Sequence, residues 1–274
     1  MRPHSLTSSV LVASRLYTTT ASPPSICRAT RASSLFTAST NKTCTIAAVA
    51  TPRRLFSTSP ARSSQSKQTT PAMASSSALI DAFTARRSFY QLNKELPVSK
   101  DKVNSIVQQN LIQVPSSFNS QSNRVLVLYG AEHDKLWDIT SDILKPLVPA
   151  ENWSATAQRN AGFKAGAGTV LFFIDTTVVS DMQAKFALYK DNFPIWAEHS
   201  TGMLQFATWT TLEAEGLGAN LQHYNPLIDA RVASEWNVPA SWRLVAQLVF
   251  GGRAGEAGPK DHLPLEQTFK VAGA

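Results

Sequence analysis

The chain has 274 residues, 43% of them hydrophobic and 16% charged, with a formal net charge of +7. That length allows a sizeable core in one large domain or two small ones. Residues 1–80 hold nine basic residues and no acid, leaving 17 basic against 19 acidic residues and a net −2 for the remainder. The basic balance is therefore no argument for nucleic-acid binding by the folded part, and none is expected.

Residues 1–72 are rich in Arg, Ser and Thr and have no sustained apolar run, so they bury too little to offset chain entropy. This is the composition of a mitochondrial transit peptide, which predicts a matrix location for a folded domain at 73–274. Arg53-Arg54-Leu55-Phe56-Ser57 has the arginine, aromatic and small-residue order of a matrix-peptidase cleavage site. The alternatives are a plain basic tail, or a second start at Met73 that would give a cytosolic form. Both cysteines, Cys27 and Cys44, fall in this segment. The domain is thus expected to have no disulfide, thiolate metal site or cysteine nucleophile. No run of about 18 apolar residues occurs, so no membrane span is expected.

In chain order, Ser77–Arg87 carries Leu79, Ile80 and Phe83 at helical spacing and runs into Arg86, Arg87 and Ser88. The two arginines either complement a helix end or form an anion site, where guanidinium forks and a hydroxyl hold phosphate. Ser99 is the expected N-cap of a helix with Val103, Ile106, Val107 and Leu111 inward. The polar loop Pro115-Ser116-Ser117-Phe118-Asn119-Ser120-Gln121 follows. Its hydroxyls and amides suit a heteroaromatic ring, or bond only their own backbone in Asx and Ser turns. Arg124–Gly130 reads as a strand inside a sheet, and Ala131–Leu147 as a helix burying Leu136, Trp137, Ile139, Ile143 and Leu144.

The 150s are polar, and Phe163–Gly168 leads into a second buried strand at Thr169–Ile174. Lys164, among small residues ahead of that strand, either approaches a ligand or is a solvated charge. After a short helix at 181–191 comes the longest one. Its Ile195, Trp196, Met203, Leu204, Phe206, Ala207, Trp209 and Leu212 spread round more than one face, which predicts burial on several faces. Gly216 and Gly218 stop it and hand the chain to a backbone turn, GANLQHY, able to set main-chain N–H groups against a flat ligand. Pro226–Trp236 reads as a short helix and Trp242–Phe250 as a third strand, followed by a loop-like tail carrying Lys260 and His262. Three strands between helices sharing one core make the fold class α+β, a layered sandwich.

Gly216-Leu217-Gly218 follows a helix and lacks a third glycine, which excludes a dinucleotide-binding fingerprint. The sequence has no P-loop, HExxH, CxxC or G-x-S-x-G pattern, so neither phosphate-loop, zinc nor serine-hydrolase chemistry is indicated. His199 and His223 have no evident acid partner. What survives is chemistry carried by a cofactor, with no catalytic acid or base expected from the protein.

Three blocks, Ala85–Ser88, Pro115–Gln121 and Gly216–Asn225, resemble the FMN-dependent nitroreductases in this order and spacing. The FPxW start of the long helix and Gln247–Gly251 resemble the fungal and bacterial subfamily linked to lipid signalling and stress resistance. The likeness spans Ser77–Lys270. It implies a central, mainly antiparallel or mixed sheet flanked by helices, in a homodimer with a long buried central helix and two FMN sites at the subunit interface. Carried over by position, Arg86, Arg87 and Ser88 would hold the phosphate and the pyrimidine edge. Pro115, Ser116, Ser117 and Asn119 would reach the ring from the other subunit, with Gln121 adjoining them. Leu221, Gln222, His223 and Tyr224 would face the N5 side, Lys164 the pyrimidine, and Lys260 and His262 the phosphate. A histidine at 262 departs from the Lys and Arg of many relatives. His223 and Tyr224 stand where better-known bacterial enzymes have an acid and a glycine, so substrate range does not transfer.

The implied activity is NADH- or NADPH-dependent reduction of nitroaromatic or quinone-like acceptors, by ping-pong hydride transfer through flavin N5, in a stress or detoxification response. No metal is implied. The alternative is a flavin-binding, lipid-responsive regulatory protein with little turnover.

Overall fold

The computed structural model describes residues 75–273. The readings of residues 1–72, of Met73 as a second start and of the two cysteines lie outside the described residues. Five strands form one sheet: β1 (Leu92–Asn93), β2 (Asn123–Tyr129), β3 (Gly168–Asp175), β4 (Gly218–Gln222) and β5 (Trp242–Arg253). All strand pairings are antiparallel. β3 lies between β2 and β5, and β5 also pairs with β4 over Gln247–Gly251 and with β1 at Gly252 and Arg253. The α+β class holds, with two more strands than the sequence reading gave.

β3 reads GTVLFFID and is buried at every residue, as befits a strand covered on both faces. Its alternation sorts the core into two layers. Val170 and Phe172 pack with Val103, Ile106 and Val107 of α2 (Lys100–Gln113) and with Leu204 and Leu212 of α6 (Phe193–Ala214). Leu171 and Phe173 join the opposite cluster. There they meet Leu136 and Trp137 of α3 (Gly130–Leu144), Phe163 of α4 (Ala150–Lys164) and Val232 of α7 (Asp229–Glu235). The single shared core of the sequence reading is thus two cores, one on each face of the sheet.

Local signals explain where elements begin and end. The Ser99 hydroxyl accepts from the Lys102 amide at 3.2 Å, capping α2 as expected. Gly216, at φ +88°, ends α6 in the conformation glycine tolerates best. The run beyond it is not a free turn: residues 218–222 are β4, paired with β5. Gly218 is required there, because a Cβ would lie within 3.0 Å of Leu92, Arg253 and Phe89 side-chain atoms.

Two helices differ from expectation. The polar 150s form α4, of whose 15 residues only Asn160 and Phe163 are buried, so no apolar stripe announces it. The helix expected at 181–191 starts earlier, as α5 (Thr176–Lys185), because the Asp175 carboxylate caps it by accepting from the Thr177 amide at 3.1 Å. A 3-10 segment at Ala187–Asn192 completes that stretch.

The long helix α6 buries Ala197, Thr201, Leu204, Thr208 and Leu212 but leaves Ile195, Met203 and Phe206 exposed. Leu79, Ile80 and Phe83 of α1 (Ser76–Ala85) are exposed as well, and the Phe83 and Phe206 rings lie 5.0 Å apart. The several-sided burial expected of α6 is therefore incomplete within one chain.

Candidate functional site

α1 stops at Ala85 because Arg86 turns to an extended backbone, φ −67° and ψ 118°. From there the chain is laced to β4. Ser88 bridges to Ala219, the Phe89 amide donates to the Ala219 carbonyl at 2.9 Å, and the Asn220 side-chain amide donates to the Phe89 carbonyl at 2.8 Å. The arginine block and the glycine-led block, about 130 residues apart in sequence, thus form one unit.

The two arginines take different paths. The Arg86 guanidinium carbon sits 4.5 Å from the centroid of the Trp209 ring, a cation–π stack, and its Nε is buried without a hydrogen-bond partner. The Arg87 guanidinium donates to the Gly258 carbonyl, which draws the C-terminal tail over the corner. Arg86, Arg87, Ser88 and Tyr90 then line a cavity of about 270 Å³ with Gly258, Pro259 and Lys260. Arg87 and Lys260 also line a neighbouring cavity of about 420 Å³, with His262, Ile80, Phe83 and Thr84. Tyr90 leads the other way, into a cavity of about 390 Å³ walled by Ala155, Gln158, Arg159, Gly162 and Phe163 of α4.

The end of β4 is fastened to the same wall. Leu221 and Gln222 face Leu248 and Gln247 of β5, and the Gln247 side-chain carbonyl accepts from the Tyr224 amide at 2.8 Å. The Tyr224 hydroxyl bonds Asn160 at 3.1 Å, and its ring meets Trp137 and Phe163 edge-on. Burial raises the Tyr224 pKa, so the phenol stays protonated at neutral pH. His223 lies on the exposed side of this turn.

Not every candidate converges. Lys164 is the last residue of α4, and its ammonium contacts both Asp138 carboxylate oxygens at 2.6 and 2.7 Å. Phe163 and Gly162, its predecessors, face the cavity with Tyr90. Ser116, Asn119 and Gln121 line a different cavity, about 270 Å³, with Leu111, Ile112, Val114, Asn123 and Arg124. It shares no lining residue with the arginine corner.

The 115–121 loop is nevertheless built to hold one shape. Phe118, Asn119 and Gln121 all have φ between 51° and 56°, a costly region for non-glycine residues that persists only when the surroundings enforce it. The Gln121 amide donates to the Ser116 hydroxyl at 2.8 Å. Phe118 rests against Phe186, Phe193, Trp196 and Tyr189, with ring centroids 4.8–6.1 Å away, and stays half exposed.

Sequence reasoning passed over Tyr90, Arg159 and Glu213. Tyr90 directly continues the Arg-Arg-Ser-Phe run, which was a usable signal. Arg159 stands in the polar 150s, where no element was recognised. The Glu213 side chain is only 2% exposed, and no sequence pattern separates it from its exposed neighbour Ala214 or from Glu215.

The fold is an antiparallel sheet covered on both faces, with a basic corner at Arg86, Arg87 and Lys260 set beside cavities walled by Tyr90 and Phe163. The chain belongs to the nitroreductase family, whose model matches residues 83–252, and is an oxidoreductase of that family. Two Saccharomyces cerevisiae proteins that carry the nitroreductase name, HBN1 and FRM2, are 38% and 36% identical to it. Those alignments cover 67% and 69% of this chain and 92% of each relative. The nitroreductase CinD from Lactococcus lactis, solved with chloramphenicol, is 44% identical with a TM-score of 0.66, over 71% of this chain and 99% of CinD. CinD has also been solved with 4-nitrophenol. A Desulfovibrio desulfuricans protein solved in complex with FMN shares the fold, with 18% identity and a TM-score of 0.51, over 72% of this chain and 98% of that one.

Proposed function

We propose that the chain is an FMN-dependent NAD(P)H oxidoreductase that reduces nitroaromatic or quinone-like acceptors as a homodimer. The observation that carries this reading is the divided site. The arginine corner and the 115–121 lip line separate cavities in one chain, while α1 and α6 expose apolar side chains that a second copy would cover. Two chains then complete each other's site.

The residues present fit FMN. Arg86 has a buried Nε without a partner, and Lys260 and His262 make no ion pair among the described residues. Such donors suit a phosphate, and each charged hydrogen bond to it contributes roughly 1.5–3 kcal/mol. Tyr90 and Phe163 offer an apolar wall, and the Tyr224 turn a fixed main chain beside it. When bound, FMN would supply the redox chemistry, taking hydride from the nicotinamide and passing electrons to the acceptor. The Phe118 lip of the second subunit would exclude water and give an aromatic acceptor a face to stack on. CinD, with its chloramphenicol and 4-nitrophenol complexes, supports the acceptor class. Residues 1–72 would act as a matrix-targeting leader, which a reporter fused to them would test by its destination.

The test is the visible spectrum of the purified protein, followed by anaerobic bleaching with NADH and with NADPH and recovery of colour on adding 4-nitrophenol. Bound FMN bleached by one nicotinamide and restored by the acceptor is the expected result. A protein that takes up no FMN ends the reading.

A further inference from the structure

One buried carboxylate stands behind the site instead of lining it. Glu213 lies in the last turn of α6, behind the arginine corner, and lines none of the cavities there. A carboxylate in that place is disfavoured twice, by loss of water and by the negative end of the helix dipole. Burial raises its pKa, and the hydrogen bonds it accepts act against that rise. Each oxygen accepts a hydrogen bond, and Oε2 also lies 4.0 Å from the Arg253 guanidinium, whose charge offsets part of the burial cost. Oε2 accepts from the Arg87 main-chain amide at 2.9 Å, and Oε1 accepts from the Trp209 indole N–H at 2.7 Å. Trp209 in turn carries the Arg86 guanidinium on its ring face. Arg253 closes the group from behind, donating to the Glu213 and Leu217 carbonyls at 3.1 and 3.0 Å and stacking on Phe89.

We infer that Glu213 is the positioning residue of the phosphate corner: one buried carboxylate fixes the Arg87 backbone and, through Trp209, the Arg86 guanidinium. The inference rests on the proposed function and deepens it by naming what gives the site its preference for a phosphorylated flavin. Only an acceptor at both oxygens serves. A glutamine would turn an NH2 donor toward an N–H donor, so one of the two arginines would lose its anchor. Simple Coulomb repulsion predicts the opposite outcome, since removing a negative charge near an anion site should tighten anion binding. The two accounts therefore separate in one experiment.

The experiment titrates FMN and riboflavin, by flavin fluorescence quenching, into the full chain, Glu213→Gln and Trp209→Phe. Riboflavin lacks only the phosphate, so the ratio of the two dissociation constants reports the corner and not the general fold. The inference expects wild-type protein to prefer FMN, and Glu213→Gln to weaken FMN by roughly 10- to 100-fold while riboflavin stays near its wild-type value. Trp209→Phe, which keeps an aromatic face but removes the indole donor, should shift the ratio the same way by less. It carries the test if Glu213→Gln does not fold. An unchanged ratio, a tighter FMN complex, or equal weakening of both flavins overturns the inference. A wild-type protein that binds neither flavin sinks the proposed function itself, and this inference with it.

Discussion

The Asn220 side-chain amide donates to the Phe89 carbonyl at 2.8 Å across more than a hundred residues of sequence, and both residues are buried. Its own carbonyl accepts from Gln222, so a single amide couples the arginine corner to the turn at the end of β4. Replacing it leaves the buried Phe89 carbonyl without its side-chain donor. Asn220→Ala should cost about 1–3 kcal/mol of folding stability, read from a urea transition, and should also weaken flavin binding. A variant of unchanged stability would show that water or backbone replaces the amide.

Arg87 is the corner residue shared by two cavities and tied to the tail at Gly258. Arg87→Ala should give colourless protein after purification, with a normal far-UV circular dichroism spectrum. Recovery of stoichiometric FMN from that variant would remove Arg87 from the site.

Met203 lies on the open side of α6, with Ile195 and Phe206 exposed on the same helix. Covering one such side chain contributes about 1.5–3 kcal/mol, whereas a charge there would face an apolar partner. Met203→Glu should lower the mass seen by light scattering from a dimer to a monomer, and flavin should be lost together with the dimer. A flavin-loaded monomer would contradict the shared site.

His133 is wholly buried in α3, with its Nδ1 2.8 Å from the Thr169 hydroxyl and its Nε2 3.3 Å from the Lys164 carbonyl. Burial lowers its pKa to about 4. In the unfolded chain a histidine titrates near 6.5, so as pH falls the unfolded state takes up the proton first. The native state therefore loses stability as pH drops through the window from about 6.5 toward 4, and none from this group above it. Between about pH 7 and pH 5 the loss should be roughly 2 kcal/mol by urea denaturation, and His133→Gln should lack that increment even if less stable throughout. Equal pH slopes for the two proteins would mean that His133 is solvated.

Much of this was legible in the sequence for identifiable reasons. β3 is an apolar run bounded by glycine and aspartate, and α2 has a serine cap and a regular stripe, so both reveal themselves locally. α4 was invisible because it buries just two side chains, and β4 because GANLQ has no strand pattern of its own. β4 is a strand only because β5 lies beside it.

Residue identity alone determined the α+β class, the chemistry available to the folded part and the three blocks that resemble a flavin-binding family. Those properties depend on local spacing and composition, which a linear chain carries unaided. Tertiary structure alone decided which blocks meet. It joined Arg86–Ser88 to β4 and to Lys260, paired Lys164 with Asp138, and kept the 115–121 lip apart from the corner within one chain. It also brought the Arg87 amide to Glu213 across 126 residues, a pairing that no local spacing encodes, whereas the Trp209 donor lies one helical turn away.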